Sequence, residues 1–387
     1  MIISFTVDNQ MSIKISVNFA MFDSRCLNLG FCSGIYTWYP LISSMLVIML
    51  KHTAAGFVCR FLVAPGLKPF RSIAVLITLA YSGLAAPATH AEPLFDESVR
   101  AAMVERANGR IAHVETQYTD LFIDKLGSML SMSLRYKREG YVDSMTNLKD
   151  PDDLPLDYSR KITASLAYPQ EPKRLLMIGL GAGSISTYLG RHMPDLTIDA
   201  VEVDPGVIEA AKTYFGIRET GKVRFIANDG RVYLTQNKDR YDVILVDACH
   251  RLGVPFHLLT KEFYLLVKQR LAPDGVAAFN VIGGTKLYAS TLVTLRAVFP
   301  TLDVYPVNEQ EGEVIAVASP AAAIERETLL SRAATLQERY HFRYPLPSVV
   351  MQRREAEAVP GGELLTDDFA PVNLYETIVV RGARRRR

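Results

Sequence analysis

The sequence predicts an α/β protein with a doubly wound, mainly parallel seven-stranded sheet and a small β-rich region before it. Short apolar segments alternate with helical patterns from residue 173 to residue 319, and some are apolar without interruption, as in Val243–Val246. Strands that are apolar on both faces are typical of a parallel sheet covered by helices on both sides. Alternating apolar residues between residues 111 and 136 indicate the β-rich region.

Each element of the alternating series has its own local signal. Apolar runs predict strands at 174–178, 196–203, 223–227, 241–246, 276–281, 302–306 and 313–319. Helical spacing of apolar residues predicts helices at 184–192, 205–214, 232–236, 261–271, 287–298 and 320–340. Pro205 stands at a favourable first helical position, and Pro273-Asp274-Gly275 predicts the end of a helix.

Composition and pattern divide the chain into four segments. These are a leader at 1–91, a small N-terminal β-rich region at 92–170, a nucleoside-binding α/β domain at 171–320, and a C-terminal helix, closing segment and basic tail at 321–387. In the second segment, a helix beginning near Asp96 precedes the strands at 111–123 and 128–136, and another helix follows at 158–168. The apolar face of the first helix is predicted to contain Ala101, Ala102, Val104 and Ala107.

The leader contains an uncharged apolar run at residues 73–86. Lys68 and Arg71 precede this run and Ala86-Pro87-Ala88 ends it, which is typical of a bacterial signal peptide. A membrane span needs about 20 residues, so the run is short for one. Because it begins far from residue 1, we expect the true start at Met49 or a later codon. We expect the chain to be exported to the periplasm, or to keep this segment as an N-terminal membrane anchor. In either case no other membrane contact is expected from the leader. If the leader is an artefact of the start site, the protein is cytoplasmic.

Charge and cysteine content exclude other classes of function. The formal net charge is +2, and residues 92–387 carry 37 basic and 39 acidic residues. A nucleic-acid-binding surface would need clustered positive charge, so no nucleic-acid partner is expected. The basic run Arg384–Arg387 is read as a solvated tail, with a weak membrane or partner contact as the alternative. Only Cys249 lies beyond the leader and no zinc-ligand spacing occurs, so no metal is predicted.

The first candidate site residues follow the first two strands of the predicted sheet. Gly179, Gly181 and Gly183 form a glycine-rich turn between a strand and a helix, where glycine lets the backbone approach a ligand closely. Glu202 ends the second strand, about 20 residues later, where an acid can accept hydrogen bonds from ribose hydroxyls. Asp204 better fits a cap for the helix that starts at Pro205.

Two further acids follow the third and fourth strands. Asp229, next to Gly230, can accept a hydrogen bond from the exocyclic amine of adenine, cap the following helix, or do both. Asp247 ends a hydrophobic strand, where a poorly solvated carboxylate can act as a general base or bind an ammonium group. A dinucleotide-binding fingerprint would have glycine in place of Ser184 and does not explain these two acids. The pattern therefore favours a nucleoside with one ribose and one adenine.

These motifs resemble the class I S-adenosylmethionine-dependent methyltransferase fold, a Rossmann-like fold. More narrowly, the chain is similar to the spermidine synthase (polyamine aminopropyltransferase) family, of which it looks like a divergent member. The resemblance spans about residues 110–375 and is strongest at 173–281. Other stretches that carry it are Pro205–Glu209, Leu259–Tyr264, Leu271–Val276 and Leu365–Val372.

The resemblance implies transfer of an aminopropyl group from decarboxylated S-adenosylmethionine to a (poly)amine. Asp247 then matches the proposed base, Glu202 the ribose ligand, and Asp229 with Gly230 the adenine site. Tyr158 and His250 are candidates for substrate binding. Two positions depart from the family, since Ala182 and His250 stand where acids that bind ammonium groups usually occur. A charged hydrogen bond contributes about 1.5–3 kcal/mol, so the loss of two would weaken the binding of ammonium groups of the substrates.

Three functions stay open on the sequence alone. The first is a spermidine synthase-like aminopropyltransferase. The second is a methyltransferase-like enzyme that uses ordinary S-adenosylmethionine, whose carboxylate would need a basic residue such as Arg191 or Lys173 near the glycine turn. The third is a non-enzymatic nucleoside-binding homologue. Many relatives form dimers, so a homodimer is a further expectation.

Overall fold

The computed structural model describes residues 93–134, 142–248, 254–283, 286–308, 312–356 and 360–368, and the backbone of four strands before residue 64. The chain divides into two units, residues 1–90 and 91–387. In the first unit, two antiparallel pairs form from β1 (Ile2–Val7), β2 (Ile13–Asn18), β3 (Leu46–Thr53) and β4 (Gly56–Val63). The predicted signal segment at 73–86 lies outside the described residues. Within the described part of the chain, no helix is long and apolar enough to cross a membrane.

The second unit starts with a helix and a small antiparallel sheet. Helix α1 (Glu97–Glu105) is capped by Asp96, whose carboxylate accepts the N–H groups of Ser98 and Val99. The apolar face predicted for this helix is only partly present: Val104 packs against the core, but Ala101, Ala102 and Ala107 are exposed. The residues that the helix buries are Arg100 and Met103. The four strands of the small sheet pair in chain order: β5 (Gly109–Glu115), β6 (Asp120–Leu126), β7 (Met129–Ser133) and β8 (Ser144–Asn147).

A short helical segment connects the small sheet to the large one. Helix α2 (Asp157–Lys161) continues into a 3₁₀ turn at Ile162–Ala167, all of whose residues are buried. This segment carries Tyr158 toward the large sheet.

The large sheet is mixed and has the order β11-β10-β9-β12-β13-β15-β14-β16. Its strands are β9 (Arg174–Ile178), β10 (Thr197–Glu202), β11 (Val223–Ala227), β12 (Tyr241–Val246), β13 (Leu271–Val281), β14 (Thr301–Asn308), β15 (Glu313–Ser319) and β16 (Arg354–Glu355). The pairings from β11 to β13 are parallel and the remaining three are antiparallel. The predicted fold class is therefore confirmed. The eighth strand was missed because two residues are too short to show an alternating pattern.

Helices cover both faces of this sheet. They are α3 (Ser184–His192), α4 (Pro205–Ala210), α5 (Gly230–Gln236), α6 (Lys261–Arg270), α7 (Lys286–Val298), α8 (Arg326–Tyr340) and α9 (Leu346–Val350). Alternate residues of one strand enter different cores: Leu175 and Met177 belong to one hydrophobic cluster, and Leu176 and Ile178 to another. This two-sided burial explains why the central strands are apolar without interruption.

The course of the chain fixes where a ligand can bind. From β9 the chain moves outward to β10 and β11, and then returns to the other side of β9 as β12. The strand order therefore reverses between β9 and β12, and the carboxyl ends of these strands border a crevice. Ligands of open α/β sheets bind at such a switch point.

Candidate active site

The glycine turn brings the ends of β9 and β12 into contact. Gly179 has a φ of 97°, and a Cβ at this position would lie 2.2 Å from the carbonyl oxygen of Asp247. Only glycine accepts both this conformation and this approach. The backbone N–H of Asp247 also donates to the carbonyl of Ile178 at 2.8 Å. Gly181 and Gly183 have left-handed φ values as well, so the turn has the conformation that its glycines predict.

Glu202 lies beside this turn. Its Oε2 accepts the N–H of Leu180 at 3.0 Å, and its Oε1 accepts the N–H of Asp204 at 3.1 Å. Burial raises the pKa of Glu202 more than these N–H groups lower it. The backbone N–H of Val203 also hydrogen-bonds this carboxylate. A carboxylate has about four lone-pair positions, so about one remains for a ribose hydroxyl. Its role as ribose ligand stays a prediction. Asp204 caps α4 through Gly206, as the sequence indicates.

Asp229 is held from two sides. Its Oδ1 accepts the N–H groups of Arg231 and Val232, each at 2.9 Å, so it caps α5. Its Oδ2 lies 2.8 Å from Nε2 of His257, a contact that the sequence did not indicate. Burial acts to raise the pKa of Asp229, but the Val232 N–H and His257 outweigh it and the net shift is downward. The carboxylate is therefore ionised and oriented, which suits an acceptor for an amine.

Gly230 packs the start of α5 onto β9. A Cβ at this position would lie 2.4 Å from Cγ2 of Ile178. The backbone N–H of Asn228 donates to the carbonyl of Glu202 at 3.0 Å. These contacts place the acids that follow β10, β11 and β12 around the end of β9.

Asp247 has the environment of a general base. Burial raises its pKa to about 6, against the opposing effect of hydrogen bonds from Asn280 and Tyr158, and the charge of Asp143 raises it further. Nδ2 of Asn280 donates to Oδ1 of Asp247 at 3.1 Å. A carboxylate with a pKa near the working pH can both accept and release a proton. The structure therefore brings Tyr158 and Asp247 together, although their roles remain predictions.

The structure adds a carboxylate that sequence reasoning missed. Asp143 precedes β8, and its Oδ2 accepts the N–H of Leu134 at 2.8 Å. Its carbonyl oxygen accepts the hydroxyl of Tyr158 at 3.0 Å. No strand-end rule points to Asp143, because it comes from the small antiparallel sheet. The signal for Asn280 was a polar residue in the apolar strand β13.

Other candidates lie elsewhere. Arg191 pairs with Asp152 at 2.9 Å, and Lys173 pairs with Glu171 at 3.0 Å. Both basic residues thus have partners away from the glycine turn, so neither is placed to bind a substrate carboxylate there. Ala182 is buried. His250 lies outside the described residues.

The segment around Leu365–Asp367 packs beside α5, the helix that Asp229 caps. Arg231 forms a bidentate pair with Asp367, with one N–O distance of 2.8 Å, and also donates to the carbonyl of His257 at 3.1 Å. The N–H of Lys261 donates to the carbonyl of Leu365 at 2.8 Å. The segment that carries the Leu365–Val372 motif is thereby fixed to α5 and α6 as far as residue 368.

Two other features lie away from this crevice. A groove of about 440 Å³ lies between β5 and α4, and Thr116 and Glu209 are among the residues that line it. Glu202, Asp229 and Asp247 are not among the residues that line it. On the small sheet, His113, Glu115 and Asp120 place potential metal-ligand atoms within 4.8 Å of one another, but all three are exposed.

Comparison with known proteins gives consistent matches. A family model for the spermine/spermidine synthase domain matches residues 157–305. A polyamine aminopropyltransferase of Chromobacterium violaceum is 32% identical over 202 residues, which cover 51% of this chain and 77% of that protein. A polyamine aminopropyltransferase of Vibrio vulnificus is 29% identical over 266 residues, which cover 67% of this chain and 89% of that protein. A solved structure of a probable spermidine synthase from Corynebacterium glutamicum, 18% identical, aligns with a TM-score of 0.54 over 67% of this chain and 97% of its own. That structure supports the fold.

Proposed function

We propose that this chain, which belongs to the spermine/spermidine synthase family, is a transferase that moves an aminopropyl group from decarboxylated S-adenosylmethionine to a (poly)amine. The observation that carries this proposal is the partly buried carboxylate of Asp247, with its raised pKa, at the switch point of the sheet. In the reaction, the neutral amine attacks the methylene carbon beside the sulfonium. The new C–N bond forms as the C–S bond breaks, and methylthioadenosine leaves. The proton lost by the amine goes to Asp247.

The arrangement of the other acids fits the adenosyl portion of the donor. Glu202 keeps acceptor capacity for a ribose hydroxyl, and Asp229 offers an ionised acceptor for the adenine amine. The glycine turn allows the backbone to approach the nucleoside. Each of these interactions orients the donor relative to Asp247, and orientation lowers the barrier of a two-substrate reaction.

The partners of the basic residues favour the decarboxylated donor over ordinary S-adenosylmethionine. Arg191 and Lys173 pair with Asp152 and Glu171, away from the crevice. The carboxylate of ordinary S-adenosylmethionine would therefore meet acids rather than either of these cations. This supports aminopropyl transfer and leaves methyl transfer as the alternative outcome of the test.

The test is a product assay on the purified full chain. The chain is incubated with putrescine and either decarboxylated or ordinary S-adenosylmethionine, and methylthioadenosine, spermidine and S-adenosylhomocysteine are separated by chromatography. We expect methylthioadenosine and spermidine in equal amounts from the decarboxylated donor alone. Release of S-adenosylhomocysteine from the ordinary donor would contradict the proposal and favour a methyltransferase. Binding of methylthioadenosine without turnover of any amine would favour a non-enzymatic homologue.

Location and assembly are also proposals. We propose that the apolar run at 73–86 directs export, on the strength of its basic flank and its small-residue end. Fractionation of bacterial cells and N-terminal sequencing of the recovered chain test this, and an uncut cytoplasmic chain would refute it. We also propose a homodimer, because many relatives form dimers. Light scattering on the purified chain tests this.

A further inference from the structure

The segment at residues 365–367 reaches the adenine side of the candidate site through a series of polar contacts. Asp367 and Arg231 form a bidentate pair, in which Nη1 of the arginine lies 2.8 Å from Oδ1 of the aspartate. The same Nη1 donates to the carbonyl of His257 at 3.1 Å. Nε2 of His257 in turn lies 2.8 Å from Oδ2 of Asp229. The contacts therefore join three separate parts of the chain and end at the predicted acceptor for adenine.

Arg231 is the centre of this network. Its backbone N–H donates to Oδ1 of Asp229 at 2.9 Å, and its guanidinium contacts the turn that carries His257. That turn, Phe256–Leu258, is a single 3₁₀ turn, and the last carbonyl groups of so short a turn find no partner within it. The guanidinium offers five N–H donors in one plane, so it can bind a carboxylate and a carbonyl group together. The pair with Asp367 holds the guanidinium in the position from which it supports His257.

The orientation of Asp229 determines which base can bind. Its Oδ1 accepts two backbone N–H groups and its Oδ2 contacts His257, so the plane of the carboxylate is fixed. A carboxylate in this fixed position can accept the exocyclic amine of adenine. Hypoxanthine has a carbonyl oxygen in place of that amine, and two acceptors that face each other repel. A site built to accept an N–H group discriminates against a base that lacks it. The contacts that fix Asp229 therefore affect the preference for adenine.

We infer that Asp367 is a positioning residue for the adenine site, which acts through Arg231 and His257 to hold Asp229 in the orientation that selects adenine. This inference rests on the proposed function, in which Asp229 accepts the adenine amine. Asp367 needs no contact with the nucleoside for this role, because its charge holds the guanidinium and the guanidinium holds the turn at His257. The segment at residues 365–367 thereby links the C-terminal part of the chain to the choice of nucleoside.

The backbone of this segment is held independently of the Asp367 side chain. The N–H of Leu365 donates to Oγ1 of Thr294 at 3.0 Å, and its carbonyl accepts the N–H of Lys261 at 2.8 Å. The N–H of Asp367 donates to Oε2 of Glu262 at 2.9 Å. Because none of these contacts uses the side chain of Asp367, Asp367→Asn removes the charge while the segment stays in place.

The experiment is calorimetric titration of the full chain and of Asp367→Asn with methylthioadenosine and with methylthioinosine, in which a carbonyl oxygen replaces the amine of the base. We expect the wild type to prefer methylthioadenosine. Asp367→Asn should bind methylthioadenosine about 2- to 5-fold more weakly, because ion pairs at partly exposed positions contribute modestly. It should bind methylthioinosine as the wild type does. High salt should reduce the difference between the two proteins, since it screens the pair of Arg231 with Asp367.

A double variant tests whether Asp367 acts through His257. If it does, His257→Ala combined with Asp367→Asn should bind methylthioadenosine no more weakly than His257→Ala alone, because residues that act in one network do not contribute additively. Losses that add in the double variant would contradict the inference.

The matched control is Asp368→Asn, the same change at the next residue, which is exposed and lies outside this network. It should leave both affinities unchanged. Unchanged binding of methylthioadenosine to Asp367→Asn would overturn the inference, as would an equal loss for methylthioinosine, which would show a general disturbance of the site. The wild-type titrations judge the proposed function separately. A wild type that binds neither nucleoside contradicts that function and the inference with it, whereas a full preference for adenine that survives in Asp367→Asn contradicts the inference alone.

Discussion

Replacement of Asp247 by asparagine should abolish turnover and at the same time stabilise the fold. The carboxylate is partly buried at the end of β12, and desolvation raises its pKa from 3.8 to about 6. An asparagine has nearly the same shape and keeps the oxygen that accepts Nδ2 of Asn280. It carries no charge that must be removed from water. The variant therefore lacks the proton acceptor and also the cost of the buried charge.

The size and sign of the effect follow from the pKa. An acid whose pKa is raised in the folded state binds its proton more tightly there than in the unfolded chain. Ionisation of Asp247 thus costs stability progressively as the pH rises from about 4 to about 6, and the full cost is present above that range. A shift of about two pKa units corresponds to about 3 kcal/mol. The stability advantage of Asp247→Asn should grow by about that amount between pH 3.5 and pH 8.

The assay is urea unfolding of both full chains at several pH values, followed by fluorescence. Titrating groups that do not interact with Asp247 contribute equally to the two proteins and cancel in the difference. Turnover of the wild type should rise with pH around 6, and the variant should show none. Stability curves that run parallel across this pH range would refute the argument that Asp247 is a desolvated base. An active variant would refute its role in proton transfer.

Three other substitutions test neighbouring parts of the site. Glu202→Ala should weaken methylthioadenosine binding at least tenfold in calorimetry, because charged hydrogen bonds to ribose are lost; an unchanged affinity would exclude the ribose contact. His257→Ala should weaken the same binding a few-fold while His257→Asn retains it, since the imidazole orients Asp229; equal affinities would exclude that role. Gly179→Ala should lower the free energy of unfolding by about 2 kcal/mol or more, measured in urea, because a Cβ would lie 2.2 Å from a carbonyl oxygen. Gly109→Ala is its control, with a positive φ but no atom within 4 Å, and an equal loss would assign the effect to backbone strain alone.

The central sheet was predictable because its strands are buried on both faces. The bounds of β9, β11 and β12 coincide with the apolar runs in the sequence. Prediction was less accurate where the local sequence pattern differs from the structure. The predicted helix at 205–214 is α4 followed by a π-helical turn at Ala211–Phe215. Strand β13 begins at Leu271 and runs through Pro273, which the sequence pattern assigned to a helix end.

The strand-end acids were predictable for a similar reason, since parallel strands bring their carboxyl ends to one edge. The contacts of those acids were not. His257 reaches Asp229 from a turn 28 residues further along the chain, and Asn280 reaches Asp247 across 33 residues. Such pairings depend on tertiary packing and leave no local pattern. Sequence also could not place the basic residues proposed for a substrate carboxylate: Lys173 comes just before β9 and Arg191 lies in the last turn of α3, and each pairs with an acid there.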